Sequence, residues 1–439
     1  MTLTYLKVRI LRCKDMNYND TEIYTNHGQN NHFYIFAIAV TVDFPVEFSH
    51  GDTNLIERSF VNLPRTIKLR TNMNPISSRL LSQQLVCPQF NTPAKVVSWM
   101  GAMQAQDYRA MRWAVAMRTR KPSFEAFERD FNSGRIVRTH LLRCTWQLIS
   151  WEDYTWMRPL CAPKALSAMK GWMTSNKVSI SPEEEQRISG IFEATMSGKR
   201  SVVKDELVSA LADEGIRMDE HRLSYHIRLA ELSGLLCSGD MHPKLNTWCL
   251  VSEKFKDSPD NTQENEWADI SPSVTQPINR EEALCRLATK YFQSHSPATF
   301  EDFVWWSGLN INDCRTAVQM LGDRLHVEKW RGREFLLHEN CRTRGFRKGC
   351  AHLIPPYDEY LIAYKSRDIA LAPQYSHHAH NNSGIFRPVI AIDGEIVGNW
   401  SMASKDGNPE FFKENLNLPE DSTVFQQLAD QFRTFRTLW

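Results

Sequence analysis

The chain has 439 residues, 42% of them hydrophobic and 23% charged, with a mean hydropathy of -0.44. That composition predicts a globular protein of several domains and excludes a single small module, a disordered chain or a fibre. Fifty-two Lys and Arg against fifty-one Asp and Glu leave a net charge of +1, so only local charge can point to a polyanionic partner. The longest apolar run, Phe33 to Val42, is about half a membrane span and lacks a signal peptide's basic flank and cleavage pattern. The ten cysteines stand singly, with no CxxC pair, as buried thiols of a reducing compartment do. A cytoplasmic protein with no membrane segment is expected.

Residues 1–72 are rich in Asn, Thr and Tyr and show no helical period. They read as an upstream extension, with Met73 the true start, or as a small β-rich appendage. From Met73 the texture changes. Asn91-Thr92-Pro93 opens a helix, a second helix runs through Tyr108 to Met117, and a third opens on Ser123-Phe124-Glu125-Ala126. Asn132-Ser133-Gly134 closes the third, and Ile136 to Ile149 reads as two strands. Three helices and a strand pair make a winged helix.

The order recurs. Ser201 to Gly215 and Asp219 to Gly234 are helical, and Leu235 to Val251 reads as strand, turn at Gly239-Asp240, strand. Pro297 to Gly308 and Asn310 to Leu321 repeat the helices, with strands at Leu325 to Trp330 and Glu334 to His338 around Arg331-Gly332. Pro388 to Ile392 and Glu395 to Trp400 form a hairpin hinged on Asp393-Gly394, and Ser422 to Arg436 is a terminal helix. The expected fold is α+β, three tandem winged-helix units followed by a small β-barrel-like domain. The expected domains are 1–72, the extension; 73–170, 171–255 and 280–340, the winged helices, with a polar linker at 256–279; and 341–439, the β domain.

There is no GxxxxGK(S/T) loop, GxSxG elbow, HExxH or Rossmann GxGxxG. His377-His378-Ala379-His380 lies in an Asn- and Ser-rich stretch and reads as a solvated loop rather than a metal site. Local charge says more. Between Met73 and Lys170 the basic residues outnumber the acidic by eight, and Arg dominates, which suits bidentate phosphate contact. The same segment holds Gln104-Ala105-Gln106-Asp107, two Gln side chains that an extended backbone would turn to one side. From spacing alone they read first as a polar helix terminus.

Gln104-Ala105-Gln106-Asp107, Val137-Arg138-Thr139 with Arg143 and Thr145, Thr299 to Leu309 (TFEDFVWWSGL), Leu353 to Tyr364 (LIPPYDEYLIAY) and Phe386 to Trp400 (FRPVIAIDGEIVGNW) together resemble the AlkZ/YcaQ-type bacterial DNA glycosylases. The resemblance covers Met73 to Trp439 and none of the first 72 residues. It implies three tandem winged helices and a β-barrel around DNA, with a Gln-aliphatic-Gln motif, here Gln104 and Gln106, placing the water for base excision. Arg109, Arg112, Arg138, Thr139, Arg143 and Thr145 are the expected DNA contacts, Arg138 and Arg143 leading. The chain departs from the family pattern at Tyr108, where Pro is common, at Cys144, where Gly is common, and at Trp146-Gln147, where an aliphatic-His pair is common.

Two neutral amides suit one chemistry. A purine alkylated at N7 is cationic and departs without protonation, so a general acid is not needed and polar groups can serve the oxocarbenium-like sugar and its water. The expected function is therefore a monofunctional DNA glycosylase for bulky or cross-linking N-alkylpurine lesions, without metal or cofactor. It is expected to act on alkylated or cross-linked double-stranded DNA as a monomer associated with the nucleoid. The rival expectation is a non-catalytic winged-helix DNA-binding regulator in which the paired Gln are incidental.

Overall fold

The computed structural model describes residues 74–256, 278–412 and 423–437. The first 72 residues, extension or appendage, and nearly all of the 256–279 linker lie outside the described residues. Capping chemistry fixes the first elements. Asn74 and Thr92 cap α1 (Pro75–Ser82) and α2 (Pro93–Met100), each with Pro in its first turn. A short strand, β1 (Met103–Gln104), precedes α3 (Ala110–Ala116) and α4 (Phe124–Asn132), the last capped by Ser123 as its opening predicts. After β2 (Ile136–His140) and β3 (Trp146–Ser150), the strands pair antiparallel in the order β1-β3-β2.

A 25-residue helix, α5 (Trp151–Ser175), then runs straight through Pro159 and Pro163, the residues that hide it from a sequence reading. The pattern returns as α6 (Pro182–Met196), β4 (Val202–Val203), α7 (Lys204–Asp213), α8 (Glu220–Ser233), β5 (Leu236–Ser238) and β6 (Thr247–Leu250), with strand order β4-β6-β5. It returns again as α9 (Arg280–His295), α10 (Phe300–Ser307), α11 (Ile311–Leu321), β7 (Leu325–Trp330) and β8 (Arg333–His338). Here a single residue, Ala298, stands in for the first strand: its N–H and C=O pair with those of Leu336 at 3.2 and 2.8 Å. Each repeat thus runs helix, strand, helix, helix, strand, strand. The leading helices α6 and α9 and the short first strands exceed the sequence expectation.

The C-terminal strands β9 (Ala351–Ile354), β10 (Val389–Ile392), β11 (Glu395–Asn399) and β12 (Glu410–Phe411) form an open antiparallel sheet in the order β12-β11-β10-β9. The expected barrel is corrected: among the described residues the sheet does not close. A short helix, α12 (Glu359–Ile362), follows β9, and the terminal helix α13 (Thr423–Thr437) covers the β9 edge. Gln431 of α13 accepts the Leu353 N–H at 3.0 Å and donates to the Ala351 carbonyl at 2.6 Å, so an edge that closure would have paired is satisfied by a side chain. Val424, Leu428, Phe432 and Phe435 of α13 pack with Trp113 and Trp400. The β10–β11 turn is the predicted Asp393-Gly394, both at positive φ (50° and 87°). A Cβ on Gly394 would lie 2.3 Å from Ile76 Cγ2. No described helix is long and apolar enough to cross a membrane.

Candidate active site

The first sheet brings the candidate residues together. Register pairs Gln104 with Gln147 and Gln147 with Thr139, so one row across β1, β3 and β2 carries three buried polar side chains. The adjacent row carries Met103, Leu148 and Arg138, and its Met103 and Leu148 join the apolar cluster of Val97, Met100, Phe127 and Phe131.

The backbone around the two Gln residues is held at successive atoms. The Gln104 N–H donates to Glu359 Oε1 at 2.7 Å, and the Ala105 N–H donates to the Trp146 carbonyl at 2.8 Å. The Ala105 carbonyl accepts Nε and Nη2 of Arg138 at 3.2 and 3.0 Å. One step further, Asp107 Oδ1 accepts the N–H groups of Arg109 and Ala110 at 2.9 and 2.8 Å, fixing the start of α3. Gln106 sits at a bend between these anchors, half-buried, its side chain without a hydrogen bond among the described residues. The regular strand ends at Gln104, so the extended run that would align both Gln side chains stops short of Gln106.

Gln104 is held by its side chain too. Its Oε1 accepts Gln147 Nε2 at 2.7 Å and lies 3.0 Å from Thr145 Oγ1. Gln147 Nε2 also reaches Thr145 Oγ1, at 2.9 Å. Gln147 Oε1 and Thr139 Oγ1 are buried without a partner, an uncommon state for polar atoms in an interior.

Glu359, buried at the start of α12, joins three parts of the chain. Besides Gln104 it accepts Trp306 Nε1 at 3.1 Å on Oε2, which lies 3.4 Å from His295 Nε2. Its neighbour Asp358 holds Arg118 through two bonds of 2.7 and 2.8 Å. Two adjacent carboxylates inside the apolar stretch Leu353 to Tyr364 were a usable signal, since unpaired carboxylates are rarely buried. Sequence reasoning passed over Glu359, and it treated Gln147 only as a departure.

The expected phosphate contacts need correction. Arg138 is 1% exposed: besides Ala105 it reaches Asn246 Oδ1 at 3.1 Å, and its guanidinium lies 3.7 Å from the Trp146 ring centre. Burial pushes its pKa down to about 10. It braces the strand from inside. Arg112 is buried beside the rings of Tyr108 and Phe124, its pKa lowered by burial, and Thr139 is buried in the polar row. Arg143 and Thr145 are half-buried and turned inward. Arg143, in left-handed backbone at φ 54°, reaches the Trp305 carbonyl at 3.3 Å and that of Trp306, where a cation suits the C-terminal end of α10. Burial lowers its pKa as well. Arg109, three residues after Gln106, is half-buried.

The model of the AlkZ-like DNA glycosylase family matches residues 97–416, a span that takes in Gln104, Gln106, Gln147 and Glu359. The chain belongs to that family. It is 24% identical over 354 residues to an interstrand DNA cross-link repair glycosylase of Streptomyces sahachiroi, across 77% of this chain and 90% of that protein. The solved structure of Streptomyces sahachiroi DNA glycosylase AlkZ matches the fold with a TM-score of 0.64 at 21% identity, covering 83% of this chain and 96% of that one. The protein is accordingly a DNA glycosylase, and the paired Gln residues have to be read within that class.

Proposed function

We propose that this DNA glycosylase hydrolyses the N-glycosidic bond of bulky or cross-linking N-alkylpurine lesions of the N7-alkylguanine type in double-stranded DNA, acting as a monomer in the nucleoid. The observation that carries the reading is the placement of Gln104 and Gln106, one buried in a polar row and one unbonded beside it, on backbone pinned by Glu359, Arg138 and Asp107. Neither Gln can protonate a leaving base, and a cationic N7-alkylated guanine needs no proton to leave. What remains for the site is to orient water and favour positive charge on the sugar, which amide dipoles carried on a fixed backbone can do.

In this reading residues 73–170, 171–255 and 280–340 are winged helices, their repeated element order giving the support, and 341–439 is a β domain that places Glu359. Arg109, three residues after Gln106, is retained as a phosphate contact, while Arg112, Arg138 and Thr139 serve the interior. Cross-linked DNA enters as substrate from the Streptomyces sahachiroi relative. The test is incubation of the protein with duplexes carrying N7-methylguanine or an interstrand N-alkylpurine cross-link, followed by detection of free base and abasic sites. Release is expected. Tight binding to these duplexes without release would favour the non-catalytic regulator.

A further inference from the structure

We propose that Gln147 is a positioning residue for base release: it fixes the Gln104 amide so that its N–H₂ end, and not its carbonyl, faces the substrate. The inference rests on the reading that Gln104 acts on the lesion nucleotide. The Gln104 carbonyl end is the engaged one: Oε1 accepts Gln147 Nε2 at 2.7 Å and lies 3.0 Å from Thr145 Oγ1, whose single proton has the Leu142 carbonyl, also at 3.0 Å, as its other acceptor. The Nε2 of Gln104 has no partner among the described residues, and the side chain retains a little exposure, 6%. Gln106 differs, since neither end of its amide is engaged. Two residues of one type thus offer different chemistry: Gln104 donates to an acceptor atom of the lesion nucleotide, and Gln106 keeps a carbonyl for the water and the positive sugar.

The cost of the arrangement supports a purpose. Gln147 spends both N–H groups on Gln104 and Thr145 and leaves its own Oε1 buried without a partner, as is Thr139 Oγ1 beside it. An apolar pair at these positions would remove that penalty. In the second sheet the positions that match Gln104 and Gln147 are Val203 and Thr247, next to the core-facing pair Val202 and Trp248, and the Thr247 hydroxyl donates to the Asp240 carbonyl at 2.7 Å. A row of this topology therefore does not need amides.

The experiment uses the full chain with Gln147→Leu, Gln147→Glu and Gln147→His, each alone and combined with Gln104→Ala. Two quantities are measured: single-turnover release of N7-methylguanine from duplex DNA, and the NMR signals of the Gln104 side-chain amide in protein labelled at glutamine. Gln147→Leu should slow release about five- to tenfold, the scale of one neutral hydrogen bond, with affinity for undamaged DNA unchanged. Gln147→Glu should slow it further, because its carboxylate repels Oε1 and draws the Gln104 N–H₂ away from the substrate. Gln147→His keeps an N–H donor and should recover most of the rate.

In the Gln104→Ala background all three substitutions should lose their effect, and in the intact background Gln147→Leu should shift the Gln104 amide signals. Equal slowing in both backgrounds, or unchanged amide signals, would overturn the proposal. If the wild-type protein releases no base, the proposed function fails, and the amide signals still decide whether Gln147 sets the orientation. If Gln147→Leu does not fold, the His and Glu variants carry the same comparison.

Discussion

The first and second sheets share one strand order, with the last strand in the middle, yet differ in what they bury. In the second, the register pair Cys237 and Cys249 sits among apolar neighbours, and the pair next to it on the same face is Val203 and Thr247, the Thr247 hydroxyl bonded to the Asp240 carbonyl. In the first, Gln104 and Gln147 stand at those positions in one row with Thr139, and two polar atoms of that row go unpaired. The backbone topology folds either way, so the amides answer to something other than folding. Where one fold is used repeatedly in a chain, the copy that breaks the apolar rule marks the place to look for chemistry.

The comparison sharpens most if the two sheets respond differently to substitution. Gln104→Ala and Gln106→Ala should each slow release of N7-alkylguanine on the order of 10²–10³-fold, the usual loss for one preorganised polar group. Val203→Ala, at the position of the second sheet that matches Gln104, should leave the rate unchanged. Single-turnover kinetics decide, and a Val203 variant as slow as the Gln variants would erase the distinction between the sheets. Next in size is Glu359→Ala. It leaves the Gln104 and Trp306 N–H groups buried without an acceptor, at about 1–3 kcal/mol each, so denaturant unfolding should show a large loss, with Glu359→Gln retaining part of it.

How much of this was legible in the sequence divides by physical cause. Caps and turns are local, so Ser123, Asp393-Gly394 and the Arg331-Gly332 hairpin fell where expected. The repeated helix pairs were legible because their apolar period is local as well. Long-range pairing was not: Ala298 as a one-residue strand depends on Leu336, and the edge cover by Gln431 depends on a helix some eighty residues on. The arginine excess misled for the same reason. Net charge in a segment cannot say that Arg79 faces Asp302, or that Arg118 faces Asp358. Of the fourteen basic residues between Met73 and Lys170, Arg79, Arg112, Arg118 and Arg138 are buried, so much of the apparent DNA footprint is interior structure. Gln104 and Gln106 stood out as a pair by spacing, while Gln147 and Glu359 became partners only through the fold.

The interior reading of Arg138 is open to a direct attempt to break it. Arg138→Met keeps the length and the packing on Trp146 while removing the donors to the Ala105 carbonyl, so it should lower stability and slow base release. The salt dependence of DNA affinity should not change. A residue that neutralises a phosphate contributes about 0.9 to the slope of log affinity against log salt, and a fall of that size in the variant would return Arg138 to the DNA surface.

The smallest expected effect concerns the seam between the two sheets. His140, on β2, donates from Nδ1 to Glu231 of α8, whose other carboxylate oxygen accepts Trp248 Nε1 at 2.9 Å from β6. Burial lowers the His140 pKa below its ordinary 6.5, with Glu231 opposing the shift, so the imidazole is neutral in the folded protein at pH 7 and still supplies the Nδ1 proton. A base whose folded pKa is depressed is protonated more readily when unfolded, so stability is fully present above pH 6.5 and declines as pH falls from there toward the folded pKa. His226, His338, His352 and His380 are shifted the same way by burial, and the whole-protein profile therefore cannot isolate one residue. The difference between wild type and His140→Gln can. The variant should be less stable at pH 7.5, having a poorer bond to Glu231, but its unfolding free energy should decline less steeply below pH 6.5. Parallel profiles would show that His140 binds its proton equally in both states, and the seam between the sheets would then be insensitive to pH.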